Sequence, residues 1–159
     1  MAAATAFPRK SKRAKGIFWR RSTVRINYLA IVVAAILYFL LGGLWFGKLF
    51  NNQWVALEGF KAADLKNINP TIPYIVSMIA NLVIAFILAL VCATQKADSA
   101  VKGAQTGILM GIGFVATTAL STYMFEGRSF HLYLINEGYP VVGLALMGAV
   151  IGAWKKKAA

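Results

Sequence analysis

Hydrophobic and polar positions separate along this chain into long blocks. Four stretches, Ile26 to Gly47, Ile72 to Thr94, Gly103 to Phe125 and Leu132 to Trp154, are nearly free of charge, and the first two contain none. Each has about the twenty residues that an α-helix needs to cross a bilayer. A soluble chain of 159 residues has no core large enough to surround four such helices with apolar neighbours. The blocks therefore predict an all-α polytopic membrane protein with four transmembrane helices in a bundle.

The polar block between the first two crossings has a periodicity of its own. Phe50, Trp54, Leu57 and Phe60 or Lys61 recur every three to four residues with polar positions between them, which predicts a short amphipathic helix lying in the membrane interface. Asn69-Pro70 and Ile72-Pro73 then punctuate the chain, and Pro is tolerated in the first turn of the helix that follows. Trp45, Tyr74, Tyr123, Tyr133, Tyr139 and Trp154 fall near predicted helix ends, where aromatic rings are expected to anchor at headgroup level.

Charge adds an orientation. Of the 17 lysines and arginines, eight lie in residues 1–25, two (Lys96 and Lys102) between the second and third crossings, and three (Lys155, Lys156 and Lys157) in the tail. The opposite side holds four: Lys48, Lys61, Lys66 and Arg128. Cytoplasmic flanks are enriched in Lys and Arg, so both termini are expected inside a cell membrane, plasma or bacterial inner. An even number of crossings returns the tail to the side of the start. The chain divides accordingly into a basic segment, 1–25, expected to be disordered, a transmembrane domain, 26–154, and a basic tail, 155–159. The net charge of +12 is explained by topology and by attraction to anionic headgroups, without nucleic acid as a partner. A secretory signal does not fit the start, because the first apolar block is too long and ends Leu44-Trp45-Phe46-Gly47. A mitochondrial presequence remains an alternative for residues 1–25.

Helices in lipid associate through small residues that let backbones approach and through polar groups that bond across the contact. Gly103, Gly107 and Gly111 repeat every fourth residue, and at about 100° per residue Thr118, Ser121 and Thr122 continue the stripe. Ala145, Gly148, Ala149 and Gly152 form a second small face. The two faces are expected to meet, or one of them to make a homodimer contact. Ser77, Asn81, Thr117 and Ser121 are the polar residues at membrane depth, either interhelical bonding groups or the lining of a pathway. Glu137 is the only acidic residue inside a predicted crossing. It lies about 7 Å into the helix from Leu132 at 1.5 Å per residue. Pro140 removes the bond to the Asn136 carbonyl and is expected to kink this turn, so that Asn136 and Glu137, with His131 and Arg128 close enough to pair, would form a small polar pocket at the outer face.

Chemistry-bearing residues are few. One His, one Cys and five acids, scattered along the chain, supply no metal cluster, no nucleophile with a base and no phosphate-cradling loop, so no cofactor and no enzymatic role is expected. Cys92 reads as a small buried residue. Two functions stay open: a non-enzymatic structural or interaction protein that works through its Gly faces, and a small oligomeric transporter or channel in which Ser77, Asn81, Thr117, Ser121 and Glu137 share a cavity.

Several ordered motifs resemble a known family. Asn27-Tyr28-Leu29-Ala30, Leu41-Gly42-Gly43-Leu44-Trp45-Phe46 with Gly47-Lys48, and Trp54 are similar to the start of the bacterial and fungal membrane family catalogued as domain of unknown function 1761. Leu134-Ile135-Asn136 before Gly138-Tyr139, and the run Met147 to Trp154, resemble its last helix. The resemblance spans about Arg25 to Trp154 and implies a four-helix membrane protein with no known activity. Glu137 and Pro140 depart from the pattern, so Glu137 is a local variation and not a residue the family would assign a role.

Overall fold

A computed structural model describes residues 26–60 and 69–154. The basic start, the tail lysines, and Lys61, Asp64 and Lys66 lie outside the described residues, and with them the expectations placed there. The described chain is all-helical: α1 (Tyr28–Leu49), α2 (Asn51–Glu58), α3 (Thr71–Thr94), α4 (Ala100–Phe125) and α5 (Phe130–Ala153). All but α2 are long and apolar enough to cross a membrane.

Local chemistry sets the ends of these helices. The Asn27 side chain accepts from the Ala30 N–H at the start of α1, Ser99 accepts from the Lys102 N–H at the start of α4, and Ser129 accepts from the His131 N–H at the start of α5. Each satisfies a backbone donor that a helix start leaves free. The caps place the starts of α4 and α5 at Ala100 and Phe130, earlier than the apolar blocks begin, because a capped first turn accommodates polar residues such as Lys102 and His131. Gly127, at φ +64°, turns the chain between α4 and α5, where the left-handed region excludes most side chains.

Helix α5 is the hub and touches each of the other four, with its closest association to α4. Helix α1 packs between α3 and α5, whereas α3 meets α4 through the Ala100–Met110 half. The core joins Ile31, Ala34, Ala35 and Tyr38 of α1, Ala85, Leu88, Ala89 and Cys92 of α3, and Leu144, Met147 and Ile151 of α5. Alanines dominate the α1–α3 contact, as expected where helices must approach closely without a hydrophobic drive from water. One end of the bundle carries the α3–α4 turn and the pairing of Asn27 with Trp154, whose carbonyl accepts from the Asn27 amide at 2.8 Å. We call it the basic end. The other carries α2 and the α4–α5 turn.

Two segments leave α-helical geometry. The last turn of α1, Trp45–Leu49, and the middle of α4, Gly111–Ala116, are π-helical. The second corrects the predicted stripe on α4. A π turn takes in one extra residue, so the face that begins Gly103, Gly107, Gly111 passes to Val115, Ala119 and Tyr123. Thr118, Ser121 and Thr122 are left exposed. Hydroxyls of the same helix bond to carbonyls of the wider turn: the Thr117 hydroxyl donates to the Ile112 carbonyl at 2.7 Å, which also accepts the Thr117 N–H, and the Thr118 hydroxyl donates to those of Phe114 and Val115. Helix α5, by contrast, runs unbroken through Pro140.

Several aromatics expected as anchors are instead packing groups. Trp45 donates its indole N–H to the Ile135 carbonyl at 3.0 Å, and Tyr139 stacks on Tyr38 at 4.7 Å and donates to the Tyr38 carbonyl. Tyr123 is buried. Tyr74 and Trp154 do remain exposed at helix ends.

Candidate functional site

The densest polar arrangement lies at the α2 end. It grows from the turn between α4 and α5: Gly127 reverses the chain and the Arg128 N–H donates to the Tyr123 carbonyl at 3.0 Å, which lays the guanidinium over the Tyr123 ring, 4.7 Å from its centroid. Glu58 arrives from α2. That helix ends at Gly59 in the left-handed region, and it is held near the bundle by Trp54, which packs on Phe46 and Phe60. The two carboxylate oxygens of Glu58 are then both engaged. Arg128 donates to Oε2 at 2.5 Å, and Asn136, on α5, donates to Oε1 at 3.0 Å. The Asn136 amide also donates to the Tyr123 hydroxyl at 2.8 Å, and Tyr133, edge-on to Tyr123, donates to the Ala116 carbonyl.

This network ties α2, α4 and α5 together around one carboxylate whose side chain is 17% exposed. Charge-assisted bonds of this kind are stronger than neutral ones, and removing one partner leaves the other poorly solvated. The arrangement is a clamp: both Glu58 oxygens accept from within the protein, and Asn136 bridges Glu58 and Tyr123.

It also corrects the predicted pocket. Arg128 and Asn136 come together, but through Glu58, not Glu137. Glu137 is half-buried on α5 and makes no hydrogen bond or ion pair with a described residue, and His131 is exposed. The sequence pattern does not point to Glu58, which is 78 residues from Asn136, and no periodicity relates an interhelical loop to a turn 70 residues later; Tyr123, expected as an anchor, is instead a partner of Asn136 across the α4–α5 turn. Glu58 did carry a signal, since it lies in the only predicted amphipathic segment and precedes a glycine.

The two small faces pack against each other. A Cβ built on Gly103 would stand 1.9 Å from the Gly148 carbonyl oxygen, and one on Gly107 the same distance from that of Leu144. From the other side, a Cβ on Gly148 would meet the Gly103 oxygen at 2.1 Å and one on Gly152 the Ser99 oxygen at 2.3 Å. A Cβ on Gly111 would stand 2.9 Å from the Val141 Cα. Backbones this close leave room for hydrogen only, and they bring Cα–H groups toward carbonyls.

The polar residues at membrane depth do not converge. Ser77, Thr117 and Ser121 are exposed on the outside of the protomer, while Asn81 is 7% exposed, inside α3's buried face. Two cavities at the basic end, one along Ala30, Ala89 and Ile151 and one along Gln95, Lys102 and Gln105, are lined by none of these four.

Against known families, the model described as a protein of unknown function (DUF1761) matches residues 29–152. No curated protein and no solved structure matches the chain. The match covers α1 to α5 nearly end to end, including the glycine faces, Asn136, and the Glu58–Arg128 clamp. This chain, with its four apolar helices, belongs to the DUF1761 family.

Proposed function

We propose that the protein is a non-enzymatic structural or interaction protein of the cell membrane, with both termini in the cytoplasm, acting through its surfaces and not through an internal path. The observation that carries this reading is where the polar groups go. Glu58, Arg128, Asn136 and Tyr123 bond to one another, and Thr117 and Thr118 bond to carbonyls of their own helix. Such groups hold a fold and leave little with which to bind or transform a substrate. The oligomeric transporter finds less support. Ser77, Thr117 and Ser121 face away from the interior that holds Asn81, so a conduit using all four would have to form between protomers.

Accessibility of single cysteines tests this. On a Cys92→Ala background, cysteines at Ser77, Asn81, Thr117 and Ser121 are expected to resist a membrane-impermeant thiol reagent, and one at the exposed Arg128 turn, at Gly127, to react. Rapid labelling at both Asn81 and Thr117 would mean a water-filled path and would overturn the proposal.

A further inference from the structure

At the basic end, α3 and α4 diverge from their connecting turn and leave a half-open groove of about 200 Å³ lined by Gln95, Ala97, Lys102, Gln105, Thr106 and Leu109. We propose that this groove is a binding site for the phosphodiester of an anionic glycerophospholipid, with an acyl chain lying along Leu109.

Of the lining residues, Ala97 and Thr106 are buried, and Gln95, Lys102, Gln105 and Leu109 are exposed. Thr106, 4% exposed, shares its hydroxyl proton between the Lys102 carbonyl at 2.9 Å and Gln95 Oε1 at 3.3 Å. With its oxygen so engaged, the Gln95 amide is left to donate from its NH2. Gln105 adds a second amide, and Lys102 supplies an ammonium. That ammonium is held by Asp98 at 2.7 Å in a pair whose side chains are 59% and 61% exposed. So exposed a pair is weak and readily exchanged for a stronger anion. Two amides and an ammonium around one small volume suit the oxygens of a phosphate diester, which accepts charge-assisted bonds and has no donor to leave unmet. Lys96, exposed beside the groove at φ +54°, raises the local positive charge.

What separates a lipid from a free phosphate is the far end. Leu109 is 62% exposed and opens toward Ile112, 52% exposed, along α4. Helix α3 meets α4 through the Ala100–Met110 half, so beyond it an apolar strip continues from the groove in the direction an acyl chain would take. The depth agrees as well, because the groove starts at the ends of two spanning helices, where headgroups lie. This proposal rests on the reading of a bundle that acts through its surfaces, yet the two fail separately: the cysteine map does not depend on which lipid is retained.

Native mass spectrometry of the full chain released from mixed micelles decides it. With phosphatidylglycerol and phosphatidylcholine of identical acyl chains at equal concentration, the wild type is expected to retain phosphatidylglycerol in about five- to tenfold excess. Lys102→Gln combined with Gln105→Leu should bring that ratio near one, and Leu109→Trp, which fills the groove from an exposed position, should reduce retention of the adduct without lowering the melting temperature. Replacing Lys155, Lys156 and Lys157 with Gln should leave the excess in place. The proposal is overturned if the groove variants keep the preference, if the tail variant abolishes it, or if millimolar inorganic phosphate displaces the bound lipid.

Discussion

At the scale of single residues, position in the contact matters more than residue type. Gly103 and Gly113 are both glycines of α4, but a Cβ on the first collides with the Gly148 carbonyl and one on the second meets nothing within 4 Å. Gly103→Ala should therefore force α4 and α5 apart and lower stability by about 1–3 kcal/mol, the range for overpacking a close contact. Gly113→Ala should be neutral or slightly stabilising. Thermal unfolding of the two variants in the same detergent makes the comparison, and equal melting temperatures would refute it. Glu58 is the second such case. Arg128→Met leaves its carboxylate with a single donor, Asn136, in a site only partly open to water, and a loss of about 1–3 kcal/mol is expected. Glu58→Gln keeps an acceptor for one partner and should lose less. The order of the two, read from the same unfolding curves, distinguishes a clamp from an incidental contact. From sequence, the glycines were legible because a four-residue repeat projects onto one face of a helix. Glu58 was not, because its partners are set by how a loop folds back.

At the scale of elements, the π turn of α4 decides which residues face α5. Without it, the α-helical count from Gly111 leads to Thr118 and Thr122, and with it to Ala119 and Tyr123. The extra residue is absorbed within Gly111–Ala116, so deleting one exposed residue there should restore α geometry and keep Ala119 and Tyr123 where they are. Deletion of Gly113 is accordingly expected to be tolerated. Deletion of Ala104, between Gly103 and Gly107, turns one part of the glycine face about 100° away from the other and should abolish folding. Yield of monodisperse protein from size-exclusion chromatography reads both outcomes. A collapse of the Gly113 deletion would show that the π turn is itself required. The signal for such a turn is weak in sequence, since Gly111-Ile112-Gly113 reads equally as ordinary membrane-helix packing.

At the scale of the whole molecule, the described chain is a hub-and-spoke bundle: α5 contacts every other helix, and α2 is fastened to it at one end. With four crossings and thirteen of 17 basic residues on one side, reporter fusions should show the basic end inside. A fluorescent protein at the C-terminus is expected to fold and fluoresce, and alkaline phosphatase fused at Gly127 to be active; the reverse pattern would invert the topology. Block length and charge made the number of crossings and the helical class readable before any contact was known, because a bilayer imposes the same requirements on every helix whatever its neighbours; the family was readable from ordered motifs such as Leu41-Gly42-Gly43-Leu44-Trp45-Phe46. The pairing of the Gly103 and Gly148 faces was one of two alternatives the repeat allowed, and tertiary packing chose between helix partner and second copy. The partner of Arg128 and the burial of Tyr123 were decided by tertiary structure alone. Each depends on the angle at which α2 returns to the bundle and on one extra residue in α4, and neither quantity leaves a periodic trace in the sequence.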